Sequence, residues 1–244
     1  MINNTIVLSL PQSIKRREFM ELKLDSVSDT ILEYKFFNAL DGNKIPEYDN
    51  YANYCYKNKK KILVGEHGAY GCLMSYKKLF SEQWQPSFVI EDDVYFHKNY
   101  KNIISQAYKE NIFDEYDIIY FGYNNYRLSD QQLSAIKNNE FIIPVSKERK
   151  YITCGTYAIW YSTKAISYLN IILQNMQYGE IKPIDHIVWK LTNRLKSGII
   201  NPPLCISEVR DSNIRPSRDT ASFYNQRGMD LNNYMHLGKY EKFR

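Results

Sequence analysis

An α/β fold, with parallel strands in its first half, is what this sequence predicts, on three observations. Short runs rich in Ile, Val, Phe and Tyr recur at 4–10, 32–40, 86–90, 116–123 and 151–162. Stretches with helical apolar spacing lie between several of them, and turn residues such as Asp41-Gly42 punctuate the joins. Strands that alternate with helices build parallel sheets, and such sheets collect ligands at the carboxyl ends of their strands.

In chain order, NTIVLSL (4–10) is a β-rich run. It is too short and lacks the basic leader of a signal peptide, so a strand is the expectation. After Pro11 a helix opens near Ser13, with Ile14, Phe19 and Leu22 along one face and Lys, Arg and Glu between them. LEYKFFNAL (32–40) reads as the second strand, closed by Asp41-Gly42. Residues 43–63 are polar, with Tyr51, Tyr54, Tyr56 and a basic cluster of Lys57, Lys59, Lys60 and Lys61, and predict a surface excursion with short helical turns. GAYGCLMSYKKLFSEQW (68–84) predicts a glycine-led helix. PSFVI (86–90) predicts a buried strand that ends on Glu91, Asp92 and Asp93.

A helix around 100–111 precedes YDIIYFGY (116–123), a continuous apolar run suited to a central strand. Residues 124–150 are expected to be a loop or a helical insertion, 151–162 a strand and 163–176 a helix. Pro183 opens a further helix with Ile184, Ile187, Val188, Leu191 and Leu195 on one face, and Gly198 is its expected stop. IINPPLCIS (199–207) is the last strand-like piece. Residues 1–244 are expected to form a single domain, with about 208–244 a polar, Arg- and Asn-rich C-terminal extension.

The totals narrow the function classes. No apolar run approaches the length of a membrane span. The four cysteines are scattered without a CxxC pair, which argues against a zinc site or a disulfide framework and fits reduced thiols in a cytoplasm. A formal charge of +5 helps hold a nucleotide or an acidic membrane surface without demanding either. The 22 tyrosines invite stacking on sugars, but a coding bias that also favours Asn, Lys and Ile explains them more simply.

Three consecutive acids at a strand end repel one another, and a cation would relieve that cost. In extended chain Glu91 and Asp93 point to one side and Asp92 to the other, so Glu91 and Asp93 are the expected ligands of a hard divalent ion such as Mg²⁺ or Mn²⁺. Taken alone, such a triplet more often simply solvates a strand end.

Five other segments in the right order change that reading. IVLSLPQSIKRRE, FFNALDG, GAYGCLMSYKKLF, then GTYAIWYSTKAISYL followed by PIDHIVW, together with VIEDDV, resemble glycosyltransferase family 25 from about residue 5 to 215. The resemblance implies a GT-A fold, a Rossmann-type mixed sheet flanked by helices. It also implies a UDP-sugar donor, most often UDP-galactose, and Mn²⁺ (or Mg²⁺) held by the acidic motif. Transfer would invert the anomeric carbon and deliver a hexose to a saccharide such as lipooligosaccharide or another surface glycan. On that reading the enzyme is cytoplasmic, with room for peripheral association at the inner membrane, and nucleic acid is not a partner.

Residue by residue, the resemblance puts Glu91 and Asp93 on the metal and Asp92 beside the donor. Leu8 and Ser9 would contact base and ribose through the backbone, and Arg16, with Arg17 next to it, would reach the diphosphate. Asp41 is either a nucleotide contact or a turn residue. Asp185 is the leading general base, although an acid in a first helical turn is also stabilised by the helix dipole alone. His186 is the secondary candidate. Ser75 is expected to pack, Trp189 to meet a sugar or the core, and His67 and His97 to be exposed. His236 is a weak candidate metal ligand, and Arg215 with Arg218 a candidate anion clamp. Two departures from the family pattern stand out: Ala69 and Tyr76 stand in place of its Glu and His, unless GEH at 65–67 supplies them in a shifted register, and Thr156 and Tyr157 point to a different acceptor. The competing readings are a non-catalytic sugar- or nucleotide-binding domain and other carboxylate enzymes. A glycoside hydrolase needs carboxylates further apart than Glu91 and Asp93, and a nucleotidyltransferase would be expected to show a GxGxxG cluster, which is missing.

Overall fold

The computed structural model describes residues 2–125, 128–151, 153–208 and 230–235. Arg215, Arg218 and His236 lie outside them. The described residues form a mixed α/β structure whose central sheet has seven strands in the order β2-β1-β3-β7-β5-β8-β6. Its strands are β1 (Thr5–Ser9), β2 (Tyr34–Asn38), β3 (Ser87–Glu91), β5 (Ile118–Asn125), β6 (Ile142–Pro144), β7 (Thr153–Tyr161) and β8 (Ser197–Ile200). A separate pair joins β4 (Val94–Phe96) to β9 (Cys205–Ser207).

As the early alternation of strands and helices predicts, β1 pairs in parallel with both β2 and β3. Beyond β3 the sheet turns mixed: β7 runs antiparallel between β3 and β5, and β5 is parallel to β8. Continuous apolar sequence in β1, β3, β5 and β7 follows from burial on both faces. One face packs Ile6, Val89, Ile118 and Ile159 against α3 (His67–Glu82) and α7 (Thr163–Gln174). The other packs Val7, Phe88, Ile90 and Ile119 against α1 (Ile14–Asp25) and α4 (Tyr100–Lys109).

Several expectations are corrected. The polar stretch after residue 43 contains an eleven-residue helix, α2 (Glu47–Lys57), because Tyr48, Tyr51 and Cys55 give it a buried stripe. Residues 112–115 add a short helix, α5 (Ile112–Glu115), and the insertion after β5 holds α6 (Asp130–Lys137), capped by a Ser129–Gln132 capping box, before β6. The helix after Pro183, α8 (Ile184–Lys190), is short. Gly198 does not stop it; it lies inside β8. The run 199–207 is divided between β8 and β9.

Candidate active site

The carboxyl ends of β1, β2 and β3 meet at one edge of the parallel half of the sheet. β1 delivers Leu8 and Ser9, and the chain after it delivers Arg16 in the first turn of α1. After β2 the chain turns through Leu40, Asp41 and Gly42. β3 ends at Glu91, with Asp92 and Asp93 in the turn to β4. All of these residues line one cavity of about 390 Å³, together with Cys72 and Ser75 of α3. Leu8, Ser9, Arg16, Asp41, Glu91, Asp92 and Asp93 are thus brought together, as their places at strand ends require.

The alternation expected of the three acids does not hold. Because β3 stops at Glu91, Asp92 and Asp93 follow a turn and not a pleat, and no side of a strand separates them. Asp92 is buried, its Oδ2 accepting from Ser9 Oγ at 2.6 Å. One Arg16 nitrogen, Nη2, pairs with both Asp92 Oδ1 at 3.1 Å and Asp93 Oδ2 at 3.2 Å. Glu91 stands apart from that pair and accepts from Thr156 Oγ1 of β7 at 3.4 Å.

A second cation lies beneath the turn. Lys23 is 1% exposed, its Nζ donating to Val94 O at 2.5 Å and sitting 4.8 and 4.7 Å from the Phe19 and Tyr95 ring centroids. Its position on an amphipathic helix gives the sequence reader a solvated lysine; packing buries it. Burial pushes its pKa down to about 8, while Asp93 and Asp92 pull it back up. The turn is braced from the far end of the chain as well: Glu208 N donates to Asp93 O at 2.8 Å, and Tyr95 Oη donates to Glu208 Oε2 at 3.2 Å.

Among the described residues, the carboxylates of Glu91, Asp92, Asp93 and Glu208 thus gather around the cations Arg16 and Lys23. Burial pushes Glu91 up to about 8, with Asp93 and Asp92 adding repulsion. Burial likewise raises Asp93 to about 6, against the pull of the Arg16 guanidinium. Asp93 Oδ1 is buried and finds no hydrogen-bond partner among the described residues. The orphaned oxygen is one that a hard divalent cation would satisfy, with Asp93 and Glu91 as its carboxylates; among the described residues the three-residue set whose ligand atoms lie within 4.8 Å of one another is instead Cys154, Asp185 and His186.

Neighbouring side chains hold the cavity walls. Arg17 donates to Ser9 O at 2.9 Å and to Asn38 Oδ1 at 2.7 Å, tying the ends of β1 and β2 together. Asp41 accepts from Asn43 N and from Gln12 Nε2, so it is both a turn residue and a wall residue. Ser75 is buried but not merely packed: its Oγ accepts from Leu40 N at 2.8 Å. Gly71 lets α3 approach that turn, since a Cβ there would lie 2.6 Å from Gly42 N and 2.7 Å from Leu40 O.

Asp185 does not line this cavity. It lies in the first turn of α8, where its Oδ1 accepts from His186 N at 2.9 Å, and ligand atoms of Cys154, Asp185 and His186 lie within 4.8 Å of one another. The two regions are electrostatic neighbours, because the Cys72 thiol is pushed up by burial and then by Glu91, Asp185 and Asp93 together. Trp189 belongs to the core, its Nε1 donating to Ser146 O at 2.8 Å. Tyr76, where the family pattern has His, donates to Thr156 O at 2.8 Å. The expectation that His67 and His97 are exposed is wrong: His97 is buried, and His67 is half-buried with its ring 4.1 Å from that of Tyr48.

Of the comparisons with known proteins, the family model agrees with the resemblance. A family model described as "Glycosyltransferase family 25 (LPS biosynthesis protein)" matches residues 2–188. No curated protein matches the chain. Among solved structures, S. aureus TarS 1-349 aligns at 12% identity and a TM-score of 0.44, over 85% of this chain and 60% of that one. The inositol-1-phosphate CTP transferase from T. maritima aligns at 13% identity and 0.45, over 92% and 94%. A putative glucose-1-phosphate thymidylyltransferase from Bacillus anthracis aligns at 13% and 0.38, over 82% and 87%.

Proposed function

The chain belongs to glycosyltransferase family 25, and on that premise we propose that it is an inverting enzyme that moves a hexose, galactose from UDP-galactose first among the candidates, onto a saccharide acceptor. The observation that carries this reading is the convergence of Leu8, Ser9, Arg16, Asp41 and the three acids on one cavity. In this account the nucleoside sits between the ends of β1 and β2, with Leu8 and Ser9 beneath it and Asp41 at its rim. The diphosphate then reaches Arg16 and the acidic turn.

A divalent cation held by Asp93 and Glu91, with Asp92 beside it, would neutralise charge on the departing nucleoside diphosphate. The residues of the chain supply the rest. Ser9 and Arg16 fix Asp92, so the turn is ordered before the donor arrives. The Arg16 guanidinium is partly exposed at the cavity wall and can trade a carboxylate contact for a phosphate oxygen. Asp185 takes the acceptor's hydroxyl proton as that oxygen bonds to the anomeric carbon, while the bond from that carbon to the diphosphate oxygen breaks on the opposite face. The family resemblance is what supports that role, in the first turn of α8.

The test is thermal stability and UDP release across a panel of nucleotide sugars with and without Mn²⁺. Cation-dependent stabilisation by one nucleotide sugar, lost in Asp93→Ala, is the expected result. Failure of every nucleotide to stabilise the protein would overturn the reading.

A further inference from the structure

The basic cluster noted in the sequence takes no part in the site. Residues 56–63, YKNKKKIL, form the exit of α2 and the loop that leads to α3, and all eight are exposed. The segment carries Lys57, Lys59, Lys60 and Lys61 and no acid. It also exposes three large apolar side chains, Tyr56 at 86%, Ile62 at 38% and Leu63 at 45%. The loop is held in shape from beneath, because buried Tyr51 Oη accepts from Leu63 N at 3.1 Å and from Val64 N at 3.3 Å, and Val64 is itself buried. Anchorage of Val64 leaves Ile62 and Leu63 outside the core.

The surface beyond the loop carries both signs, with the exposed acid Glu180 in the turn before Lys182. Tyr54 of α2 packs its ring 5.8 Å from that of Tyr178, in the turn that precedes Lys182. Lys182, Lys190 and Arg149 lie close enough together that Lys182 and Arg149 push the Lys190 pKa down. Gly68, a few residues beyond the loop, is part of the cavity wall.

We propose that the 56–63 loop docks the protein on an anionic bilayer, with Lys57, Lys59, Lys60 and Lys61 at the headgroups and Tyr56, Ile62 and Leu63 inserted between them. Charge complementarity selects the sign of the partner, and the apolar side chains select a bilayer over a soluble anion. A dissolved phosphate or glycan would leave Ile62 and Leu63 in water, whereas the boundary between headgroups and acyl chains takes both kinds of side chain at once. The inference deepens the reading above, and rests on it, by naming how a lipid-borne acceptor would be met beside the cavity. The binding itself needs no turnover.

The experiment is co-sedimentation of the full chain with phosphatidylcholine vesicles, with and without phosphatidylglycerol, at low and raised salt. Each lysine near an anionic surface is worth about fivefold in partitioning. The triple variant Lys57→Ser, Lys59→Asn, Lys61→Ser is expected to bind roughly a hundredfold more weakly, and Ile62→Ser with Leu63→Ser about tenfold. Equal thermal midpoints and equal nucleotide-sugar affinity in solution establish that the variants fold. Equal binding to neutral vesicles, or wild-type binding by the triple variant, would overturn the proposal. So would binding that falls only with the lysines and not with Ile62 and Leu63, which would mean adsorption to the headgroups without insertion. Because nucleotide-sugar affinity is measured without vesicles, failure of docking and failure of the transferase reading give different results.

Discussion

Replacing Arg16 with Met removes the cation that holds two carboxylates while keeping most of the side chain's bulk. Its Nη2 pairs with Asp92 and Asp93 at 3.1 and 3.2 Å, and the three side chains are 18%, 8% and 12% exposed. Breaking such an enclosed pair costs about 3–5 kcal/mol when the remaining charge is stranded. Here protons can relieve the stranding, since burial already holds Asp93 at about 6 and Glu91 at about 8. A carboxylate whose folded pKa lies above its unfolded one keeps its proton better in the folded state, so stability falls as pH rises from the unfolded value through the folded one. Loss of Arg16 raises both values further. The penalty is therefore expected to be about 2 kcal/mol at about pH 6 and about 4 kcal/mol at about pH 8.5. For a chain of this size that is a fall in Tm of about 5 °C and about 12 °C respectively. Thermal unfolding of both proteins across that range reads it directly. Mn²⁺ should recover more stability in the variant than in the wild type, because it replaces the lost charge. A penalty that does not change with pH would refute the reasoning, since it would mean that Arg16 acts by packing alone.

Further outcomes follow from the same geometry. Ser9→Ala removes a buried donor 2.6 Å from Asp92 and should cost about 1.5–3 kcal/mol in denaturant unfolding, with weaker nucleotide-sugar binding in calorimetry. Gly71→Ala forces a Cβ to within 2.6 Å of Gly42 N; a loss of about 1–3 kcal/mol in the same assay is expected, together with a distorted donor cavity. Asp185→Asn should lower kcat by about 10²–10⁴-fold while leaving donor affinity within a factor of about two. A raised donor KM with unchanged kcat would instead make it a binding residue.

Much of the fold was legible because burial on both faces leaves a plain signature. The runs at 4–10, 86–90, 116–123 and 151–162 are strands for that reason, and their carboxyl ends gather the donor-side residues. The edge strand β2 is shorter than its run of aromatics and aliphatics implies, since only its inner positions pack. β4 was hidden because three residues beyond an acidic turn carry no period. α2 was hidden by its tyrosines, which bury a stripe on a helix whose other faces are polar.

Within the site, residue types at strand ends could be read, but their partition could not. Alternation predicts opposite sides for Asp92 and Asp93, and a turn gives both to Arg16. Lys23 and Glu208 were out of reach, because nothing local marks a lysine on a polar helix, or the first residue of a polar tail, as a buried partner of an acidic turn. Thr156 stood out only as a departure from a pattern; its contact with Glu91 is a product of β7 lying beside β3.

Calorimetric titration of a UDP-sugar into the wild type and into Asp93→Asn, with and without Mn²⁺, tests the central claim most directly. The account predicts saturable binding that needs the cation in the wild type, tightens as pH rises through about 6 to 8 while protons leave Asp93 and Glu91, and is lost in the variant. Binding that is equal with and without the cation, and equal in Asp93→Asn, would contradict it.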